Sequence, residues 1–121
     1  MRYECLSKLL SSIQQFYPKM RVIIADDSPP EEYKEIDSDQ YPYAFQYRMP
    51  SLTGWFAGRA LAISQVTTDY FLWVDDDFVF TQETDLLFLL SAIEDNGEKT
   101  TKQTKENKKK YFRNFLAIKF F

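Results

Sequence analysis

The apolar positions along the chain fall into blocks with different periods. Tyr3, Leu6, Leu9, Leu10, Ile13, Phe16 and Tyr17 recur at steps of three and four residues, which predicts an amphipathic helix. Pro18 ends it, because the residue before a proline is pushed out of the helical region. Arg21 to Ala25 follows as an apolar run without polar alternation, the pattern of a strand covered on both faces of a parallel sheet. It delivers Asp26, Asp27 and Ser28 to a loop, and Pro29-Pro30 stops it. Residues 31–42 are acidic and loop-like, with room for one helical turn. Tyr43 to Met49 alternates moderately up to Pro50 and predicts a second strand.

Ser51 to Gly54 reads as a turn, and Trp55 to Val66, rich in alanine and leucine, as a helix. Thr67-Thr68-Asp69 closes that helix and leads into the strand Tyr70 to Val74. Phe71-Leu72-Trp73-Val74 runs straight into Asp75-Asp76-Asp77, so this strand too is expected to be buried on both faces. Thr81 is the predicted N-cap of a helix from about Gln82 to Glu94. Its Leu86–Leu90 run is apolar all round and predicts burial. Helix, strand, strand, helix, strand, helix in this order is an α/β pattern with a mostly parallel sheet and flanking helices.

The pattern breaks after Glu94. Asp95-Asn96-Gly97 is a stop signal, and a Lys/Thr/Glu/Asn run without apolar period follows. Charge sharpens the boundary: residues 1–94 carry 7 Lys and Arg against 15 Asp and Glu, whereas residues 95–121 carry 8 against 3. The chain therefore divides into an acidic domain, residues 1–94, and a Lys-rich tail, residues 95–121, read as disordered or aberrant. Lys108-Lys109-Lys110 would suit a nucleic acid or an anionic membrane, but a solvated tail accounts for it as well.

Composition mainly excludes. At 121 residues, 45% hydrophobic and 17% aromatic, the chain can bury one core and is not disordered for most of its length. Cys5 is its single cysteine, which rules out an intrachain disulfide, and its spacing makes it an inert helix residue. There is no histidine, so histidine metal sites and Ser-His-Asp chemistry are out. No apolar span approaches the roughly 20 residues of a membrane helix, and no signal peptide precedes the first helix. Neither G-x-x-x-x-G-K-[ST] nor G-x-G-x-x-G occurs, so phosphates cannot be cradled by those routes.

The chemistry that remains is carboxylate chemistry. Acids at the carboxyl end of a sheet strand lie where open α/β sheets bind ligands. Three adjacent carboxylates repel one another, and a divalent cation is the simplest partner to offset that charge. In an extended segment Asp75 and Asp77 point to the same side, and a metal held there could stabilise a departing diphosphate. An exposed acidic loop is the bland alternative, but acids that follow an entirely buried strand favour the metal-binding reading. Asp26-Asp27 could accept a hydrogen bond from a base or a ribose, or could simply open an Asx-type turn. Arg59 is either a diphosphate partner or a surface arginine. Trp55, Phe56, Trp73 and Phe78 are most simply core aromatics. Two motif-level alternatives fit one feature each. A two-component receiver would use Asp26-Asp27 with Asp75 as phospho-acceptor. A haloacid-dehalogenase-type phosphatase would use Asp75-x-Asp77.

A larger set of segments occurs in order: Arg2-Tyr3-x-Cys5-Leu6, Phe16-Tyr17-Pro18, Ile24-Ala25-Asp26-Asp27-Ser28, Gly54-Trp55-Phe56-Ala57-Gly58-Arg59, Ala62 to Thr68, Trp73 to Phe78 and Phe80-Thr81. Together they resemble the β-1,4-N-acetylgalactosaminyltransferases of the ganglioside and Sda-antigen type, within the family-2-like GT-A glycosyltransferases. The resemblance covers residues 2–94 and implies the nucleotide-binding half of a GT-A, Rossmann-like fold. It implies a UDP-GalNAc donor, a divalent cation, typically Mn2+, and inverting transfer to a galactose of a glycolipid or glycoprotein glycan acceptor. For the full-length family it implies the lumenal face of the Golgi membrane; no nucleic acid partner is implied. By this likeness Asp77 binds the metal, Asp75 contacts the ribose or a metal-bound water, Asp26 and Asp27 lie near uracil and ribose, and Arg59 lies near the diphosphate. Ala60 stands where the family usually has asparagine. A first sheet strand and a membrane anchor would lie before Arg2, and the acceptor site and general base after Glu94. On this basis the chain is expected to bind UDP and metal without turnover, as a truncated product whose sheet lacks a central strand.

Overall fold

The computed structural model describes residues 2–95 and 116–119. Four strands, β1 (Val22–Asp26), β2 (Ala44–Arg48), β3 (Leu72–Asp75) and β4 (Leu116–Lys119), form one sheet in the order β2-β1-β4-β3. Every pairing is parallel. Three helices accompany them, α1 (Arg2–Phe16), α2 (Trp55–Ser64) and α3 (Leu86–Asp95). The α/β architecture with a parallel sheet is as the pattern predicts.

The two faces of β1 build two cores. Val22 and Ile24 join Leu6, Leu9, Leu10 and Ile13 of α1, together with Val74, Phe80 and Leu86. Ile23 and Ala25, on the other face, meet Ala62 of α2, with Tyr47 and Trp73 alongside. The four buried apolar residues of α1 contribute roughly 2 kcal/mol each, more than helix propensity supplies. All five residues of β1 are buried, as a run without polar alternation requires.

β3 departs from expectation. Only Val74 is buried in it, and Asp75 is exposed. It is the outermost strand beyond β4, and α2 packs mainly against β1 and β4, reaching β3 through Trp73. An apolar run specifies what a strand can bury, not how many neighbours it has.

The chain after β3 also differs in detail. The predicted cap Thr81 closes a local turn, its Oγ1 accepting from Glu83 N at 3.2 Å. The N-cap of α3 is Asp85, whose Oδ1 accepts from Phe88 N at 2.9 Å. The leucine run buries one face only: Leu86 and Leu90 are inside, while Leu87, Phe88 and Leu89 are exposed. Phe56 and Phe78 are likewise exposed rather than core aromatics.

The expectation of a sheet without its central strand is not met, because Leu116–Lys119 forms β4 between β1 and β3. Ala25, Lys119 and Asp75 share one register line across the three strands. The rest of the tail, with Lys108-Lys109-Lys110, lies outside the described residues.

Candidate functional site

Asp26 closes β1 and is 4% exposed. Its Oδ1 accepts from Ser28 N at 2.9 Å, an Asx turn, and its Oδ2 accepts from Gln46 Nε2 at 2.8 Å. Gln46 is a hub: Nε2 also donates to Lys34 O at 3.1 Å, and Oε1 accepts from Ile36 N at 2.9 Å. All the hydrogen-bonding groups of this one amide are used to fasten the 27–36 loop over β1. Asp27 is 6% exposed, and its Oδ2 accepts from Gly54 N at 3.0 Å. That bond docks the turn before α2, in which Leu52 and Gly54 both take positive φ, onto the end of β1. Glycine accepts such a φ readily, whereas leucine needs its surroundings to hold it. Leu52 N donates to Asp27 O at 3.2 Å and Met49 N to Asp26 O at 2.7 Å, which supplies that hold.

A cavity of about 510 Å³ opens beside Asp26, lined by Arg2, Tyr3, Ser28, Lys34 and Gln46.

The acids of β3 have other surroundings. Asp75 ends the strand exposed, Asp76 is half-buried and Asp77 is exposed. Phe78 N donates to Asp75 O at 3.3 Å, turning the chain at once. Burial pushes the Asp76 carboxyl above the ordinary carboxylate value; its backbone amide and Arg2 oppose that shift, and Asp77 and Asp75 add to it. Beyond the turn the chain is fixed to α1. Phe80 N donates to Ser12 Oγ at 2.9 Å, and Tyr17 Oη donates to Thr84 O at 2.6 Å and accepts from Leu86 N at 3.0 Å.

The two acid groups do not meet. Ala25 and Asp75 are each paired to Lys119, so β1 and β3 end two strand spacings apart, about 10 Å. Arg59 is half-buried on α2, with its guanidinium against the rings of Trp55 and Trp73. Sequence patterning missed Gln46 and Arg2. A polar residue on the same strand face as Ala44 was the available signal for Gln46; Arg2 gave none.

The acid turn suits a hard divalent cation in its donor set, since Asp75 and Asp77 supply only carboxylate oxygens. Among the described residues no group of three or more His, Cys, Asp or Glu side chains gathers to hold a metal. An ion at Asp75 and Asp77 would thus complete its shell with water or ligand oxygens.

The model of "Glycosyl transferase family 2" matches residues 2–115. The chain belongs to glycosyltransferase family 2. It is 53% identical over 95 residues to human "Beta-1,4 N-acetylgalactosaminyltransferase 1", covering 78% of this chain and 17% of that protein. It is 53% identical over 89 residues to mouse "Beta-1,4 N-acetylgalactosaminyltransferase 2", covering 74% of this chain and 16% of that protein. The chain thus spans about a sixth of the length of the curated relatives it matches. No solved structure matches it significantly. The family match sets aside the receiver and phosphatase readings, and it runs past Glu94, where the resemblance read from the sequence ends.

Proposed function

We propose that this chain carries the donor-binding part of a glycosyltransferase that moves N-acetylgalactosamine from UDP-GalNAc to a galactose of a glycolipid or glycoprotein glycan. The observation that carries the reading is the exposed acid turn Asp75-Asp76-Asp77 at the carboxyl end of a parallel strand, in a chain half identical to named acetylgalactosaminyltransferases. Asp77 is the metal ligand, and Asp75 contacts the ribose or a metal-bound water. A bound divalent cation, Mn2+ in this reading, would offset the charge of the leaving diphosphate. Asp26 and Asp27 stand on the nucleoside side, Asp26 lining the cavity, and Arg59 on the diphosphate side. The separation of about 10 Å between the strand ends is one that a nucleotide can bridge. In this reading transfer is inverting and occurs at the lumenal face of the Golgi membrane. Its general base is not among Asp26, Asp27, Arg59, Asp75 or Asp77. No helix among the described residues is long and apolar enough to cross a membrane.

Calorimetry with UDP tests the reading, comparing the chain with an Asp77→Ala variant in Mn2+. The expected result is Mn2+-dependent binding that the variant loses. Equal affinity in both proteins would remove the metal assignment.

A further inference from the structure

Arg59 lies against two indoles. Its Cζ is 3.5 Å from the Trp55 ring centroid and 4.5 Å from that of Trp73. Trp55 is one helical turn before Arg59 on α2, so the two share a helix face. Trp73 comes from β3 and packs with the α2-side core. Asp75 is the next residue on that side of the strand, about 7 Å further along. Helix and strand thus each contribute one ring to the same cation.

The rings leave an arginine rich in unused donors. A guanidinium carries five N–H groups. The Arg59 Nε–H is buried without an acceptor, and the Trp73 Nε1–H is in the same condition. Acids outnumber bases by about two to one in residues 1–94, yet no carboxylate among the described residues pairs with Arg59. Ring contacts hold the cation in place without consuming its N–H groups. A planar fork held in this way is suited to a phosphate or diphosphate approaching in its plane.

We propose that Trp55 and Trp73 are positioning residues that hold Arg59 as the anion-binding fork for the donor diphosphate. The inference rests on the UDP-sugar reading above and deepens it. It assigns the two tryptophans a role that packing alone does not require. Lysine cannot replace Arg59 in this role, because an ammonium has no plane to stack and no fork.

The chain has only these two tryptophans, so its indole fluorescence reports this clamp alone. The experiment uses Mg2+, which does not quench, with inorganic pyrophosphate and then UDP as probes, and calorimetry alongside. Both probes are expected to shift the emission of the unaltered chain. Trp73→Leu, Trp55→Leu and Arg59→Lys are each expected to weaken UDP binding about tenfold or more, as loss of a charge-assisted contact does. Trp73→Phe, which keeps a π face, is expected to recover most of the affinity. If Trp73→Leu does not fold, the Trp55→Leu and Trp55→Phe pair carries the same comparison. Unchanged UDP affinity in folded tryptophan-to-leucine variants, with normal binding by the unaltered chain, overturns the clamp and leaves the donor reading standing. No UDP binding and no emission shift in the unaltered chain overturns both.

Discussion

The carboxyl ends of β1 and β3 carry the same residue type in opposite surroundings. At β1, Asp26 and Asp27 are buried, and three of their four carboxylate oxygens accept hydrogen bonds from Ser28, Gln46 and Gly54. At β3, Asp75 and Asp77 are exposed, and Asp76 sits between them with its charge disfavoured. The first pair gives its acceptor capacity to the protein and thereby fixes two loops. The second group leaves Asp75 and Asp77 open to solvent. A strand ending in acids is therefore not one motif but two, separated by whether backbone amides reach the carboxylates.

Five experiments would break or sharpen that contrast. The largest effect is expected from truncation before Leu116, since β4 is the only described strand that pairs with β3, whereas β1 also pairs with β2. Hydrogen exchange should then lose protection at β3 amides and keep it in β1; equal loss in both would mean that the sheet melts as a unit. Next is Gln46→Leu, which removes three hydrogen bonds and strips a partner from a buried carboxylate. A loss of about 3 kcal/mol in urea unfolding is expected. Asp27→Ala, which frees Gly54 N, should cost about 1–2 kcal/mol in the same assay. Asp77→Ala should lie within about 0.5 kcal/mol of the unaltered chain, as an exposed site does. A large loss there would make the β3 acids structural too.

The fifth experiment is electrostatic, with the smallest expected effect. The folded chain raises the Asp76 carboxyl above its unfolded value. Such a group favours folding below the unfolded value, and that contribution is lost as pH rises through the folded one. In metal-free buffer Asp76→Asn should thus be slightly more stable at neutral pH, with a flatter stability profile across the carboxylate range. A variant less stable at neutral pH would show that the link to Arg2 outweighs the burial.

Much of this was legible in the residues. The Val22–Ala25 run declared a strand covered on both faces, and α1 followed from its three- and four-residue steps. Phe71–Val74 is as continuously apolar, yet only Val74 of β3 is buried, because an apolar run cannot name the strands beside it. Leu116–Lys119 lacked turn signals and a partner pattern, and its place in the sheet depends on β1, 94 residues earlier by register. Asp85 took the cap from Thr81 because each can accept from a following amide, and only the packing of Leu86 and Leu90 decides which turn is helical. The acids at both strand ends were legible in the sequence; that Asp26 would be held by Gln46, on another strand, was not.

The fastening of Phe80 to Ser12 has a further consequence. Asp75 belongs to the sheet and Phe80 is tied to α1, so the four residues between them form a short span closed at both ends. Holding a residue in one backbone conformation costs about 1–2 kcal/mol of entropy. For Asp76 to Val79 much of that ordering is done when the chain folds. In the proposed donor site, a cation arriving at the turn would meet a backbone that is already confined, and less of its binding free energy would be spent on ordering it.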